Sequence, residues 1–168
     1  AGFDAECMIA SDAAAAEAAG LATTIVSSDK DLMQLVRGDV TMLDPMKQRR
    51  IGAPEVIERF GVPPEKVVDV QALAGDSTDN VPGVPGIGIK TAAELITTYG
   101  DLETLLARAD EIKQPKRREN LLNFAEQARI SRQLVLLRND APMPLELAAL
   151  KTPARDMDRL IAFLKQQD

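Results

Sequence analysis

The sequence predicts an α/β fold, in which a partial doubly wound sheet is followed by an all-helical subdomain. Two observations support this prediction. Before residue 63, helical segments alternate with short β-branched apolar segments that are followed by polar loops, the order typical of a doubly wound sheet. After Pro63-Pro64 the pattern is helical as far as about Gln127. We therefore divide the chain into residues 1–62, 63–128 and 129–168.

The first predicted elements are a helix, a strand and a second short helix. Asp4–Ala19 is rich in alanine and is followed by Gly20, a residue typical of the position after a helix end. Leu21–Val26 is apolar and β-branched, as a buried parallel strand should be. Ser27–Asp31 forms a polar turn that caps a short helix over Leu32–Val36.

The sheet region ends with one more strand and one more helix. Val40–Leu43 predicts a short strand, and the basic segment Lys47–Arg50 predicts a turn. Pro54 stands at the first position of a helix that Gly61 ends.

The remainder is predominantly helical. We predict four helices there: Val67–Ala74, Lys90–Tyr99, Leu102–Ala107 and Arg118–Ala128. Leu134–Leu137 predicts a return strand, and Asp156–Gln166 predicts a closing amphipathic helix.

Composition excludes several classes of function. The 168-residue chain has no histidine, so serine–histidine or cysteine–histidine catalysis and histidine-ligated zinc are excluded within it. The single cysteine, Cys7, excludes an internal disulfide. No apolar run reaches the roughly 18 residues of a membrane span and no signal-type amino terminus is present. We therefore expect a soluble protein that is not exported and has no membrane partner.

The glycine-rich segment Val81–Thr91 predicts a phosphate-binding hairpin that opens a helix. Glycines allow close approach of a ligand to unpaired amides at a positive helix end. Ile89 separates Gly88 from Lys90, which excludes a Walker A loop, and Thr91 stands where a dinucleotide-binding loop needs glycine. A helix-hairpin-helix that grips DNA backbone remains, and the alternative is an ordinary helix–turn–helix corner. The candidate DNA contacts are Gly83, Val84, Gly86, Ile87, Gly88, Lys90 and Thr91.

The charge distribution is uneven. The net charge is −6, yet residues 113–138 carry seven basic side chains against two acidic ones. We expect Lys116 and Arg117 within this run to contact DNA, and the alternative is a solvated helix face.

Three pairs of carboxylates are candidates for a metal centre: Asp4/Glu6, Asp29/Asp31 and Asp76/Asp79. Asp4 and Asp29 fall at expected helix caps, and for either pair alone capping is the better explanation. Three pairs together favour hard cations such as Mg²⁺ or Mn²⁺, because crowded carboxylates repel one another without a bound cation. Two such ions about 3.5–4 Å apart hydrolyse phosphodiesters. We assign Asp29, Asp31 and Asp76 as catalytic.

Four motifs resemble the 5′→3′ exonuclease and flap endonuclease family, most closely the nuclease that begins bacterial DNA polymerase I. The likeness covers nearly the whole chain in order and spacing, and Gly61-Val-Pro-Pro64 and Lys116-Arg-Arg-Glu119 continue it. The four motifs are Asp4-Ala-Glu6, Ser28-Asp-Lys-Asp31 with Leu32 and Gln34-Leu-Val36, Gly75-Asp-Ser-Thr-Asp-Asn80, and Val81-Pro-Gly-Val-Pro-Gly-Ile-Gly88.

The resemblance implies a PIN-like sheet followed by a SAM-like helical subdomain, and Mg²⁺-dependent cleavage of 5′ ends and flaps of duplex DNA in replication and repair. It also implies K⁺ held by the hairpin carbonyls, polymerase domains in the same polypeptide, a monomer and a bacterial cytoplasmic location. The metal ligands implied are Asp4, Glu6, Asp29, Asp31, Asp76 and Asp79.

Three departures from the family pattern are visible. The first acidic motif usually has the form Glu-Ala-Asp-Asp and here runs Asp4-Ala-Glu-Cys7, while Ile89 replaces a common proline. The family's amino-terminal half, with a further aspartate and a basic arch, is not among these 168 residues. We therefore expect this chain by itself to be weakly active or inactive. The competing hypotheses are a non-catalytic DNA-backbone binder and, least favoured, a small-molecule phosphatase or nucleotide-binding domain.

Overall fold

A computed structural model describes residues 3–143, 145–152 and 154–167. Its amino-terminal part combines two helices with three strands: α1 (Ala5–Ala18), β1 (Thr23–Val26), β2 (Val40–Asp44), β3 (Arg49–Ile51) and α2 (Ala53–Phe60). The carboxyl-terminal part of the described chain contains α3 (Val67–Ala74), α4 (Ile89–Tyr99), α5 (Leu102–Ala107), α6 (Pro115–Asn123), α7 (Ala125–Val135) and α8 (Met157–Leu164). Short 3₁₀ turns cover Asp31–Leu35, Pro64–Lys66, Ala109–Glu111 and Leu147–Ala149.

The sheet has the order β1-β2-β3 and mixes the two kinds of pairing. β1 runs parallel to β2, with Ile25 opposite Met42. β3 runs antiparallel to β2, with Ile51 opposite Met42. The sequence predicted only a basic turn at β3, because Arg49 and Arg50 are exposed and Ile51 alone is buried. Charged residues on an edge strand remove the apolar alternation by which a strand is recognised.

Three further predictions differ from the structure. The helix expected at Leu32–Val36 is a 3₁₀ turn over Asp31–Leu35. The single helix expected over Arg118–Ala128 is two helices, α6 and α7, which meet at Phe124.

The return strand predicted at Leu134–Leu137 is wrong, because α7 continues through Val135. The amide of Leu137 then donates to the Gln34 side-chain oxygen at 3.1 Å, not to a neighbouring strand. Four apolar residues are too few for periodicity to distinguish a strand from a helix end.

One hydrophobic core joins the sheet region to the helical region. Its members include Ile25 and Met42 from the sheet, Phe60 from α2, Leu73 from α3 and Ile96 from α4. Because these side chains form one cluster, the loops at the end of β1 and the glycine hairpin before α4 are held in a fixed relation to each other. The predicted closing helix is present as α8, with its apolar face exposed. No helix within the described ranges has the length and apolarity to span a membrane.

An ion pair between a buried aspartate and a half-exposed arginine connects α3 to α7. Asp69 is 6% exposed, and its carboxylate accepts hydrogen bonds from Arg132 Nε at 2.7 Å and from the Leu102 amide at 3.3 Å. We predict that Arg132→Met lowers the free energy of unfolding by about 2–4 kcal/mol, because it leaves a buried carboxylate without its counter-charge. Urea denaturation measures the change.

Arg129→Met is the matched control, because Arg129 lies on the same helix and pairs with Glu103 at the surface. An exposed ion pair contributes little to stability. Equal urea midpoints for the two variants would contradict a structural role for the Asp69–Arg132 pair.

Candidate metal centre and nucleic-acid interface

Three carboxylates converge at one end of the sheet. Asp31, Asp76 and Asp79 each present an oxygen atom, and these three atoms lie within 4.8 Å of one another. Asp31 begins the 3₁₀ turn that follows β1, and ligand sites of α/β sheets collect at such strand ends. Asp76 and Val81 exchange two backbone hydrogen bonds, of 2.8 and 2.7 Å, which close the loop that carries Asp79. Two distant segments therefore supply one acidic cluster.

Lys30 lies at the centre of this cluster. Its ammonium nitrogen is 2.5 Å from an oxygen of Asp76, 3.4 Å from Asp31 and 3.5 Å from Asp79. Partial burial by itself disfavours the charged form of Lys30, but the hydrogen bond to Asp76 and the surrounding carboxylates raise its pKa above the ordinary value. The hydrogen bond from Lys30 lowers the pKa of Asp76. The cluster therefore holds a cation supplied by the chain itself.

Gln71 supports Asp31 from the protein interior. Gln71 is 3% exposed, and its Nε2 donates to Asp31 Oδ1 at 2.5 Å. Its Oε1 has no hydrogen-bond partner among the described residues. Neither Gln71 nor Lys30 was predicted from the sequence as a site residue. The available signals were a polar residue inside the apolar segment Val67–Ala74 and a lysine between two aspartates.

The other predicted acids border an adjoining cavity. Its volume is about 270 Å³, several times the roughly 30 Å³ that a water molecule occupies in the liquid, so it has room for hydrated ions. Val81, Leu134, Val135 and Leu137 supply the apolar part of its wall. The acids that line it are Asp4, Glu6, Asp29, Asp31 and Asp79.

Asp4 is the N-cap of α1, as the alternative explanation stated, whereas the N-cap of the turn Asp31–Leu35 is Lys30 and not Asp29. Asp4 Oδ1 accepts from the Cys7 amide at 2.9 Å at the start of α1, and hydrogen bonds from Cys7 lower the pKa of Asp4. Asp29 Oδ1 accepts from the Asp31 amide at 2.9 Å. Each of these hydrogen bonds uses one carboxylate oxygen, so the second oxygen of Asp4 and of Asp29 remains a candidate ligand. Capping and cation binding are therefore compatible.

The glycine hairpin has a backbone that only glycine tolerates at its base. Gly83 and Gly86 have φ angles of +60° and +77°. A Cβ atom on Gly83 would lie 2.7 Å from the Ala74 carbonyl carbon and from the Gly75 Cα atom. Val84 and Ile87 are buried and anchor the hairpin in the core, so they present backbone and not side chain to a ligand.

Two helices hold the hairpin in place. Asn120 of α6 donates its side-chain amide to the Pro85 carbonyl at 2.8 Å. From α7, Gln127 donates to the Gly83 carbonyl at 2.7 Å, and the Ser131 hydroxyl accepts from the Gly83 amide at 3.1 Å. The sequence analysis missed these residues, because the helix break at Phe124 determines which side chains face the hairpin.

The outer side of the hairpin is exposed and basic. Gly86, Gly88 and Lys90 are exposed, and α4 begins directly after Gly88, so the first amides of the helix have no intrahelical partner. Thr91 is half-buried at the same helix start.

The first turn of α6 adds two basic residues to this side of the molecule. Lys116 is exposed and Arg117 half-buried. They precede Asn120 by four and three residues and therefore share its helix face, and Asn120 is the residue that contacts the hairpin at Pro85. The Lys116 ammonium lies 3.1 Å from the Glu119 carboxylate. Because this ion pair is exposed, it is weak and leaves Lys116 available to another partner.

Comparison with known proteins identifies the family to which this chain belongs. Residues 1–61 match the family described as 5′-3′ exonuclease, N-terminal resolvase-like domain, and residues 62–158 match 5′-3′ exonuclease, C-terminal SAM fold. The chain belongs to the 5′-3′ exonuclease family, which is a family of nucleases. The predicted family and the α/β fold class with its SAM-like subdomain are thus confirmed.

The similar sequences include DNA polymerases I. The DNA polymerase I of Rhizobium leguminosarum is 58% identical over 99% of this chain, which covers 16% of that protein. The enzyme of Bacillus caldotenax is 38% identical over 98% of this chain, which covers 19% of that protein. The chain thus spans less than a fifth of the length of these relatives.

A solved structure of bacteriophage T5 flap endonuclease, in a complex with DNA and metal ions, has the same fold. Its TM-score is 0.72 at 23% identity, over 81% of this chain and 50% of that one. T5 5′-exonuclease with bound zinc matches with a TM-score of 0.71 at 24% identity, over 80% of this chain and 50% of that one.

Proposed function

We propose that this chain forms part of a structure-specific 5′→3′ exonuclease and flap endonuclease, which hydrolyses DNA phosphodiesters during replication and repair. One observation carries the proposal: carboxylates from separate segments of the chain gather around the Lys30 ammonium and line an adjoining cavity. Family membership supports the reaction class. In this proposal residues 1–62 contribute most of the acids, residues 63–128 contribute Asp76, Asp79 and the hairpin, and residues 129–168 form the end of α7 and α8.

The donor set fits Mg²⁺ or Mn²⁺. The candidate ligands are all oxygens, which hard divalent ions prefer. The positively charged ammonium of Lys30 already lies among three of them. Two bound ions would supply an activated water and stabilise the leaving oxygen. Gln71 and the Asp31 amide orient Asp31 and Asp29 toward this role. We assign the metal-binding role to Asp4, Glu6, Asp29, Asp31, Asp76 and Asp79, of which Asp29, Asp31 and Asp76 are catalytic.

The hairpin would bind the backbone of duplex DNA next to the acids. Its exposed amides at Gly86 and Gly88 and the start of α4 suit a phosphate, and Lys90 adds a positive charge. Gly83, Val84 and Ile87 take part through their backbone, whose carbonyls would also hold K⁺. The remaining contacts in this proposal are Thr91, Lys116 and Arg117.

We propose that the whole protein has the same domain organisation and cellular location as its DNA polymerase I relatives. Polymerase domains would lie in the same polypeptide, which would act as a monomer in the bacterial cytoplasm. Its substrate would be duplex DNA with a 5′ end or a 5′ flap.

A cleavage assay tests this function. The full-length gene product, incubated with a duplex that carries a 5′-labelled flap, should release the labelled flap in Mg²⁺ and not in EDTA. Retention of an intact flap in Mg²⁺, with the duplex bound, would contradict the proposal.

A non-catalytic DNA-backbone-binding module is the second candidate. The observation in its favour is that the Lys30 ammonium already pairs with the acidic cluster and offsets part of its negative charge. This candidate predicts salt-sensitive and sequence-independent duplex binding with no Mg²⁺-dependent turnover. The same assay therefore separates the two.

We predict that Lys90→Glu weakens duplex binding about tenfold. It should also reduce the magnitude of the negative slope of log binding constant against log salt concentration by about one. Lys90 is exposed at the start of α4, so its replacement changes a phosphate contact and not the core. Fluorescence anisotropy at several salt concentrations measures both quantities. Lys47→Glu, in the exposed turn between β2 and β3, is the charge-matched control, and equal losses in both variants would remove the hairpin from the DNA interface.

A further inference from the structure

We propose that Lys30 is a resident counter-ion that occupies the place of one divalent cation and must withdraw before that cation binds. Lys30 would therefore set the metal concentration at which the centre loads. This inference rests on the proposed function and deepens it, because it assigns a regulating residue to the same site.

The geometry places the ammonium among the ligands themselves. Its nitrogen lies 2.5 Å from Asp76 Oδ2, 3.4 Å from Asp31 Oδ1 and 3.5 Å from Asp79 Oδ2. These are the three residues whose oxygens approach closely enough to share one ion. A divalent ion held by the same oxygens at about 2.0–2.6 Å would stand within a few ångströms of the ammonium. Two positive charges at that separation repel strongly, so the two cations exclude each other.

Asp29, Asp31 and Asp76 have hydrogen bonds besides the contacts to Lys30. Gln71 fixes Asp31 from within the core, and the Asp31 amide fixes Asp29. The Thr78 amide donates to Asp76 Oδ1 at 2.8 Å. Three of the four acids therefore keep part of their support when the ammonium leaves, whereas Asp79 loses its hydrogen bond from Lys30.

Lys30 can leave the cluster without a change of the backbone once its ion pairs are displaced. Its side chain is 27% exposed, and its backbone has ordinary helical angles, φ −70° and ψ −25°. Rotation of its four-carbon stem is sufficient to carry the ammonium into solvent, with no change of the main chain. The switch thus costs little structural rearrangement.

Two consequences follow for the metal-free protein. The ammonium offsets the repulsion among three carboxylates, so the cluster keeps its shape without metal. A divalent ion must displace an existing ion pair, so its observed affinity is lower than the ligand set alone would allow.

Isothermal titration calorimetry with Mn²⁺ tests the inference on the full chain. Lys30→Met keeps the stem length and removes the charge, and it should bind Mn²⁺ about tenfold more tightly than the wild type. Lys30→Gln, which keeps a hydrogen-bond donor, should shift in the same direction. Lys30→Arg keeps the charge and should show no gain, and Lys47→Met is the control for loss of an unrelated surface lysine.

Stability in EDTA is the second readout. Without metal, the urea midpoint of Lys30→Met should fall below that of the wild type, and saturating Mn²⁺ should remove the difference. A gain of metal affinity is not an effect that general damage to the fold produces.

The outcomes separate this inference from the proposed function. If both Lys30→Met and Lys30→Gln bind Mn²⁺ with an affinity equal to or lower than that of the wild type, the role of Lys30 is overturned. The proposed metal centre is not affected by that result. Absence of Mn²⁺ binding in the wild type and in both variants overturns the metal centre, and this inference with it.

Discussion

Replacing Gly83 with alanine should lower the free energy of unfolding by about 3 kcal/mol or more. Gly83 has a φ angle of +60°, in the left-handed region that an alanine avoids. The new Cβ atom would also lie 2.7 Å from the Ala74 carbonyl carbon and the Gly75 Cα atom. These are main-chain atoms at the end of α3, so no side-chain rotation relieves the contact. Urea denaturation followed by circular dichroism measures the loss.

Gly86→Ala is the matched control for this change. Gly86 has a similar φ angle of +77°, but the nearest atom to its new Cβ is Asn120 Nδ2 at 3.7 Å. Only the backbone strain remains, so we expect the free energy of unfolding to fall by about 1 kcal/mol. If the two variants unfold at the same urea concentration, the packing of Gly83 against Gly75 does not determine the stability of the hairpin.

Asp31→Asn should abolish the proposed metal-dependent activity, with a loss of about a thousandfold or more in the flap-cleavage rate of the full-length gene product. Asp31 belongs to the cluster with Asp76 and Asp79 and also lines the cavity, so it is placed to contact both proposed ions. The amide keeps the shape of the side chain but loses its negative charge, and it offers the cation a neutral ligand. Mn²⁺ titration of the variant should show weaker binding together with the lost cleavage.

Asp12→Asn controls for the loss of one negative charge. Asp12 lies on α1 and borders a different cavity, next to Ile9. This variant should keep wild-type cleavage and Mn²⁺ affinity. If the Asp31→Asn variant cleaves the flap at the wild-type rate and has an unchanged urea midpoint, Asp31 takes no part in the reaction.

The parts of the fold that depend on local sequence could be predicted. Pro54 and Gly61 marked the two ends of α2, and Gly20 marked the end of α1, because prolines and glycines restrict or release backbone angles at single positions. The glycine pattern likewise placed the hairpin before α4. Family membership was recognisable for the same reason, since four short motifs carried it.

Elements that depend on packing could not be predicted. β3 exists because Arg49 and Arg50 can stay in solvent while Ile51 pairs with β2. At the end of α7 the Gln34 side chain donates to the Val135 carbonyl and accepts from the Leu137 amide, so these backbone groups are paired without a partner strand. Gln34 and Leu137 are far apart in the sequence, so local periodicity contains no information about their contact.

By itself, the sequence determined which residue types were available: carboxylates in pairs, no histidine, and a hairpin of glycines. Only the tertiary structure decided which acids meet, because Asp31 and Asp76 come from segments joined through the buried helix α3. It also revealed that Lys30 lies between them. The physical reason is that helix ends and turns are governed by the backbone angles of neighbouring residues, whereas a charged cluster forms only where a shared core brings distant segments together.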